Sequence, residues 1–490
     1  MREVLEIGPP CAVPDRLQQA RGGALGASAW EVSAEVWRAV GGDAAVLAQL
    51  DLAGDERVYP THFRVGAAAA ACTGAAALAA AQCWRARTGW PQRVSLHFTD
   101  AALGYRSEVY QRLNGRPVAS PRPFQAYFQD KNGRFVQLHM VYPHLREAIL
   151  QVLAVADEPQ AVARAVRQRD GFELETELAA LGLPGFALRM ADEWQTHAQA
   201  RALAALPLMD IDAYPGERVE LGAQIEVDGG AARRPLDGVR VLDLTRVIAG
   251  PVCGRTLASY GAEVMRVHPP HLTEVQGLLL DGGRGKRCTN LDLRLEADRR
   301  AFERLLDGAD VLVQGFRPGG LAELGYGPAQ VRERWPSLIY ASLSAWGHTG
   351  PWADRHGFDS LVQTATGIAA EGAQRAASTV PHPLPCQALD HSTGYLAAAA
   401  VMISLARRAQ EGGGALIRLS LAQTGRWFSS LGRIEPGVEP AEDEVGERRQ
   451  TMTTLFGELS SMGPGARLSH TPARWVLPPV PLGYDAPRWQ

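Results

Sequence analysis

The sequence predicts an α/β protein, with a Rossmann-like parallel sheet domain plus a smaller α+β domain. Three observations carry this. Strand-like and helix-like runs alternate over residues 237–345 at the spacing of repeated βα units. A hairpin followed by helical patterns occupies 124–203. An alanine-rich helix followed by a short strand occurs twice, far apart in the chain. A length of 490 residues has room for about three units.

Composition narrows the class. With 46% hydrophobic and 21% charged residues, the chain is expected to fold around large cores. Lys+Arg 50 against Asp+Glu 53 leaves a net charge of −3, so neither nucleic acid nor an anionic membrane is an expected partner. Cys11, Cys72, Cys83, Cys253, Cys288 and Cys386 form no CxxC or Cys/His cluster, and no metal is expected. Free thiols suit a reducing cytosol. The opening MREVLEIGPP places Glu3 and Glu6 where a signal peptide needs an apolar run, so a cytoplasmic location is expected.

Along the chain, residues 65–84 carry no charge but are mostly alanine, which gains little in lipid. A buried helix is predicted there. Residues 390–407 repeat 70–87 without a gap: Thr73-Gly74 falls on Thr393-Gly394, Ala77 on Ala397, and Arg87 on Arg407. Arg93-Val94-Ser95-Leu96 then matches Arg418-Leu419-Ser420-Leu421. Asp390 in the second copy stands opposite Ala70 in the first, so carboxylate chemistry is open only to the second. Between the copies, 124–129 and 134–140 flank Asp130-Lys131-Asn132-Gly133 as a hairpin. Helices are predicted at 143–155, 158–167 and 171–181, and a strand at 185–190. Parallel strands are predicted at 239–244, 263–267, 288–293, 311–316 and 337–343, with helices such as 296–307 and 329–335 between them.

Chemistry-bearing residues fall at predicted strand ends. After the first strand come Arg246, Ala249 and Gly250, with Pro251 suited to a first helical turn. The segment reads either as an ordinary βα turn or as an anion site at a helix start. The turn AGPVCG is not GxGxxG, which argues against a dinucleotide enzyme. Arg284-Gly285-Lys286-Arg287 and Gly315-Phe316-Arg317-Pro318 add basic, glycine-bearing loops. Lys286 and Arg317 suit phosphate, and Phe316 suits stacking on a base, if these loops are more than solvated surface. Asp390, in Leu389-Asp390-His391-Ser392-Thr393-Gly394, reads as a helix N-cap or as an oriented reactive carboxylate, and the two roles are compatible. A helix-start histidine such as His391 is expected to be exposed.

Taken together, 236–267, 285–293, 310–328, 337–367 and 389–400 resemble the class III CoA-transferase family of the CaiB–BaiF type, which includes formyl-CoA and carnitine CoA-transferases and is related to α-methylacyl-CoA racemases. Residues 64–110 and 124–203 resemble the family's aspartate-helix segment and small domain, but in permuted order. The resemblance implies five parts: a degenerate aspartate-helix segment (1–112) packing on the large domain, a small α+β domain (113–215), a linker (216–235), a Rossmann-like domain with the nucleophile helix (236–428) and a wrapping tail (429–490). It implies a CoA-transferase acting on acyl-CoA and a carboxylic acid, with CoA as substrate and no metal. Asp390 would be the nucleophile, forming an aspartyl–acyl anhydride and then an aspartyl–CoA thioester. Arg246, Ala249, Gly250, Lys286, Phe316 and Arg317 would contact CoA, and a homodimer is expected. For this chemistry Asp390 should lie in polar, open surroundings.

Ile248 stands where formyl-CoA transferases have glutamine, Gly315 where many members have asparagine, and His268-Pro269 where glutamate is usual. These differences bear on acyl specificity and CoA contacts, not on the nucleophile. Two other readings stay open. A racemase would need a histidine where Gly357-Phe358-Asp359 has phenylalanine, with His356 the nearest substitute. The permuted order also admits a non-catalytic CoA-binding homologue.

Overall fold

Two alanine-rich helices lie along each other at the centre of the molecule. In the computed structural model, which describes residues 27–118, 127–222 and 234–490, these are Val65–Thr88 and Ala388–Glu411, the helix that carries Asp390. Side chains no larger than a methyl group let the two backbones approach closely, and a helix with no polar face must be covered on most sides. Val65–Thr88 is long and apolar enough to cross a membrane, but here protein covers nearly all of it. Two polar contacts reinforce the packing: Cys83 Sγ donates to the Met402 carbonyl at 3.3 Å, and the Tyr105 hydroxyl shares a 3.0 Å hydrogen bond with Ser392 Oγ.

The internal echo has a structural counterpart. Each helix is the crossover between two parallel strands: Leu50–Ala53 and Val94–His97 for the first, Ile339–Ser344 and Gly414–Ser420 for the second. The two units enter different sheets. Val94–His97 sits between Leu50–Ala53 and an antiparallel partner, Ala466–Leu468.

Gly414–Ser420 belongs to the main sheet. Its order is Lys286–Asn290, Glu263–His268, Arg240–Leu244, Val311–Gln314, Ile339–Ser344, Gly414–Ser420 and Asp210–Tyr214. The first six are parallel, and the last pairs antiparallel at the edge. This is a doubly wound order, reversing direction between Arg240–Leu244 and Val311–Gln314, where such sheets place ligands. Continuous apolar runs such as Val311-Leu312-Val313 are buried, as strands covered on both faces require. The edge strand Asp210–Tyr214 lies beside the region read as linker and was not expected. An Arg418–Asp210 ion pair of 2.6 Å holds it.

A smaller antiparallel sheet of Tyr127–Gln129, Phe135–Leu138 and Gly185–Ala187 packs with Pro143–Leu153, Pro159–Val166 and Gly171–Ala180. Asp130 closes its turn. One carboxylate oxygen accepts the Asn132 and Arg134 N–H groups at 2.8 Å, and the other accepts from Gly171 at 2.9 Å. Residues 124–126 of the expected hairpin, most of the expected linker (223–233) and Cys11 lie outside the described residues.

The tail is more than a wrap. Arg449–Thr454 and Gly457–Met462 form a hairpin whose second strand pairs with Arg112–Leu113, and Ala466–Leu468 pairs with Val94–His97. The C-terminal end of the chain therefore completes two sheets begun near the N-terminal end. Short strands with polar alternation, such as RQTMTT, gave little hydrophobic signal. Beyond them the chain runs over the large domain, with Trp475 Nε1 donating to the Arg255 carbonyl at 2.8 Å and Trp489 Nε1 to that of Leu305 at 2.9 Å.

Candidate active site

Asp390 sits in the first turn of Ala388–Glu411, whose cap position is Gln387, so it is inside the helix rather than its N-cap. Its backbone N–H donates to Asp359 Oδ2 at 2.9 Å. Asp359 starts the helix Asp359–Ala365, accepts the Leu389 N–H as well, and takes a 2.5 Å hydrogen bond from Gln363 Nε2. The capping carboxylate thus comes from another helix, which leaves the Asp390 carboxyl available.

The backbone N–H of Ala249, at the start of Ala249–Ser259, lies beside that carboxyl and favours its ionised form. Gly394, one turn further along, allows this approach: a Cβ there would stand 2.4 Å from the Ala249 carbonyl oxygen. The surroundings are not the open ones expected. Asp390 is only 6% exposed. Burial, then the carboxyls of Asp359 and Glu108, push its carboxyl well above the ordinary carboxylate range, and burial raises Asp359 also.

His391, expected to be exposed, is fully buried. Its Nε2 lies 3.2 Å from Glu108 Oε2 and its ring stacks on Tyr105 at 5.3 Å between centroids. Glu108 belongs to the helix Ser107–Tyr110, brought here by the first copy of the echo. Ser107 Oγ to Asp281 (3.1 Å) and Gln111 Nε2 to the Gly277 carbonyl (2.6 Å) anchor that segment on the large domain.

Two spaces meet at Asp390. The outer one is a basic groove at the sheet's switch point. Arg246, Ala249, Gly250, Phe316 and Arg317 line it, with His144, Arg355 and His356. Five of the six residues expected to contact CoA are therefore together. Arg246 lies over the Tyr142 ring at 5.1 Å and 3.9 Å from Glu274. Arg317 is exposed at the mouth. Between Arg246 and the helix, Val247 holds φ at +71°, a conformation that a β-branched residue rarely adopts; such strain concentrates at functional sites.

Lys286 is not in the groove. It begins its strand instead of ending it, level with Val241, and is buried. Its Nζ donates to Asp243 Oδ2 at 2.6 Å and to the Pro251 carbonyl at 2.9 Å. Asp243 in turn accepts the Thr245 N–H at 3.0 Å. Lys286 therefore braces the turn that presents Arg246 and does not face the ligand space. The other basic residues of its loop are committed too: Arg284 is buried against Asp281 and the Met462 carbonyl, and Arg287 pairs with Glu263 and Asp485.

The inner space is a chamber lined by Glu108, Val109, Val118, His139, Val141, Tyr142, Val247, Ile248, Val275, Gly277, Leu278, Phe358, Asp359, Ser360, Gln387 and Asp390. His139 stacks flat on Phe358, with centroids 3.6 Å apart, and burial pushes its imidazole down to about 3. His356 lines the groove, with Phe358 and Asp390, and does not line the chamber.

Reading the sequence missed Glu108, His139 and Tyr142, which come from the N-terminal segment and the small domain, and the supporting role of Asp359. Asp359 was visible in Gly357-Phe358-Asp359. The others carried no local motif, because only the tertiary fold brings them to Asp390.

Residues 236–455 match the family model for CoA-transferase family III. The chain is 35% identical over 230 residues to a Mycobacterium tuberculosis protein named "probable fatty acyl-CoA transferase", covering 42% of this chain and 58% of that one. It is 30% identical over 239 residues to the succinyl-CoA–D-citramalate CoA-transferase of Chloroflexus aurantiacus, covering 42% and 58%. A solved CAIB/BAIF family protein from Brucella suis is 28% identical, with 46% of this chain and 65% of that chain covered and a TM-score of 0.35. The chain spans a little over half the length of these curated relatives.

Proposed function

We propose that this chain, whose residues 236–455 match the family model for CoA-transferase family III, moves CoA between an acyl-CoA donor and a carboxylic acid, with Asp390 as the covalent nucleophile. The observation that carries the reading is the position of the Asp390 carboxyl at the junction of a basic groove and an apolar chamber. The groove suits the phosphates and nucleotide of CoA, through Arg246, Arg317 and Phe316. The chamber suits the acyl group.

The steps balance without a metal or redox partner. An Asp390 carboxylate oxygen attacks the thioester carbonyl, the C–S bond breaks, and CoA thiolate leaves an aspartyl–acyl anhydride. The thiolate attacks the aspartyl carbonyl and the acyl carboxylate departs, leaving an aspartyl–CoA thioester. An acceptor carboxylate displaces the thiolate to form a second anhydride, and thiolate attack on its acyl carbonyl releases the new acyl-CoA and restores Asp390. A poorly solvated carboxylate is a stronger nucleophile than an exposed one, so burial favours the attack once the proton has left. The Ala249 N–H, at a helix start, is placed to hydrogen-bond an oxygen of the aspartyl group.

The proposed setting is a cytoplasmic homodimer, checked by light scattering: a mass near the monomer's 52.8 kDa would refute the dimer. For the reaction, acyl-CoA and a labelled acid are incubated with the full chain and with Asp390→Asn. The expected result is label in the CoA thioester with the parent chain only.

A further inference from the structure

Resting on the transferase reading, the geometry points to a substrate class: the chamber takes an uncharged, apolar acyl chain of a monocarboxylic acid and rejects a dicarboxylic one. Three independent features agree.

The first is the wall. Val109, Val118, Ile248, Val275, Leu278 and Phe358 supply aliphatic and aromatic surface, which gains from covering methylene groups.

The second is charge. Among the described lining residues none is Lys or Arg, while Glu108, Asp359 and Asp390 are acids. His139 is buried and kept neutral, so it offers no cation. Arg246, Arg317 and Arg355 line the outer groove instead. A second carboxylate on the acyl chain would lose its water, find no cation and face acidic neighbours, the most costly way to bury a charge.

The third is the polar remainder. Two buried atoms of the chamber residues, His139 Nδ1 and Ser360 Oγ, have no hydrogen-bond partner. Buried polar atoms are rarely left so. Both are uncharged groups that can hydrogen-bond a substrate oxygen, and neither would offset the charge of a second carboxylate. Glu108 and Val109 come from the N-terminal segment, just after the copy of the echo that lacks an aspartate, so that segment supplies part of the wall.

Uncleavable thioethers test the chamber apart from turnover. S-hexyl-CoA, S-(4-carboxybutyl)-CoA and CoA are titrated into the full chain by calorimetry. Burying several methylenes should make S-hexyl-CoA bind at least about 30-fold tighter than CoA, while the carboxylated analogue binds no tighter than CoA. Val118→Lys, at a half-buried wall position, should reverse that order, and Glu108→Gln should narrow the gap. If the carboxylated analogue binds the parent chain as tightly as S-hexyl-CoA, or if S-hexyl-CoA gains nothing over CoA, the substrate class is wrong while the transferase reading stands. If none of the three binds, that reading falls and the inference with it.

Discussion

The backbone N–H of Asp390 donates to Asp359 Oδ2 at 2.9 Å, so one buried acid holds the start of the helix on which the other stands. The hydrogen bond makes the second aspartate a cap and frees the first for chemistry. Burial raises both carboxyls, and the charge of Asp359 raises Asp390 further.

Replacing Asp359 with Asn should therefore move the pH profile. Removing the neighbouring charge lowers the titration of Asp390, so the acidic limb of the labelling rate shifts to lower pH. Asp359→Ala, which also removes the cap, should cost about 0.5–2 kcal/mol of stability. Rates of adduct formation between pH 4 and 9 check this, and an unmoved limb in Asp359→Asn would contradict the pairing.

Asp390→Asn should abolish exchange and yet stabilise the fold at pH 8. The sign follows from linkage. A carboxyl raised in the folded state binds its proton more tightly there than in the unfolded chain, so its contribution to stability falls as pH rises from the unfolded value through the folded one. The amide does not titrate, so the variant's advantage should be present at pH 8 and shrink toward pH 4. Thermal unfolding at the two pH values reads this directly.

Lys286 and Arg317, both expected from sequence to meet CoA, should separate. Removing Lys286 leaves Asp243 buried and unpaired, a loss of about 3–5 kcal/mol. Arg317→Ala should leave stability almost unchanged and weaken CoA binding by up to about 1.5–3 kcal/mol. Urea titrations and calorimetry on both variants distinguish the roles.

The two copies of the echo should differ at their matched glycines. A methyl group at Gly394 meets the Ala249 carbonyl oxygen at 2.4 Å, so Gly394→Ala should cost about 1–3 kcal/mol and displace the Ala249 N–H from Asp390. At Gly74 the nearest atom is Leu50 Cδ1 at 3.5 Å, an ordinary contact, so Gly74→Ala should be neutral or stabilise by up to about 1 kcal/mol. Unfolding free energies of the two variants make the comparison.

Much of this was legible because the sheet and the aspartate helix are built from local signals. Apolar runs gave the parallel strands, the Thr-Gly echo gave the paired helices, and Arg246, Phe316 and Arg317 sit at strand ends where the switch point gathers them. Lys286 misled because its basic loop looks like a ligand loop, whereas the strand starts at Lys286 and turns the side chain inward to Asp243. Asp390 was expected to be open because its chemistry needs an ionised carboxylate, and residue type and helix position carry no information on burial. Glu108 and His139 were illegible for a related reason: each is distant in sequence and gains its neighbours only when the N-terminal segment and small domain close over the helix.

The proposed mechanism stands on covalent attachment of CoA to Asp390. Intact-mass and peptide analysis after incubation with hexanoyl-CoA tests it most directly. The expected product is a CoA thioester on the peptide bearing Asp390, converted to a hydroxamate by hydroxylamine and absent in Asp390→Asn. CoA transfer to an acceptor acid with no adduct on that peptide, or an adduct that persists in Asp390→Asn, would contradict it.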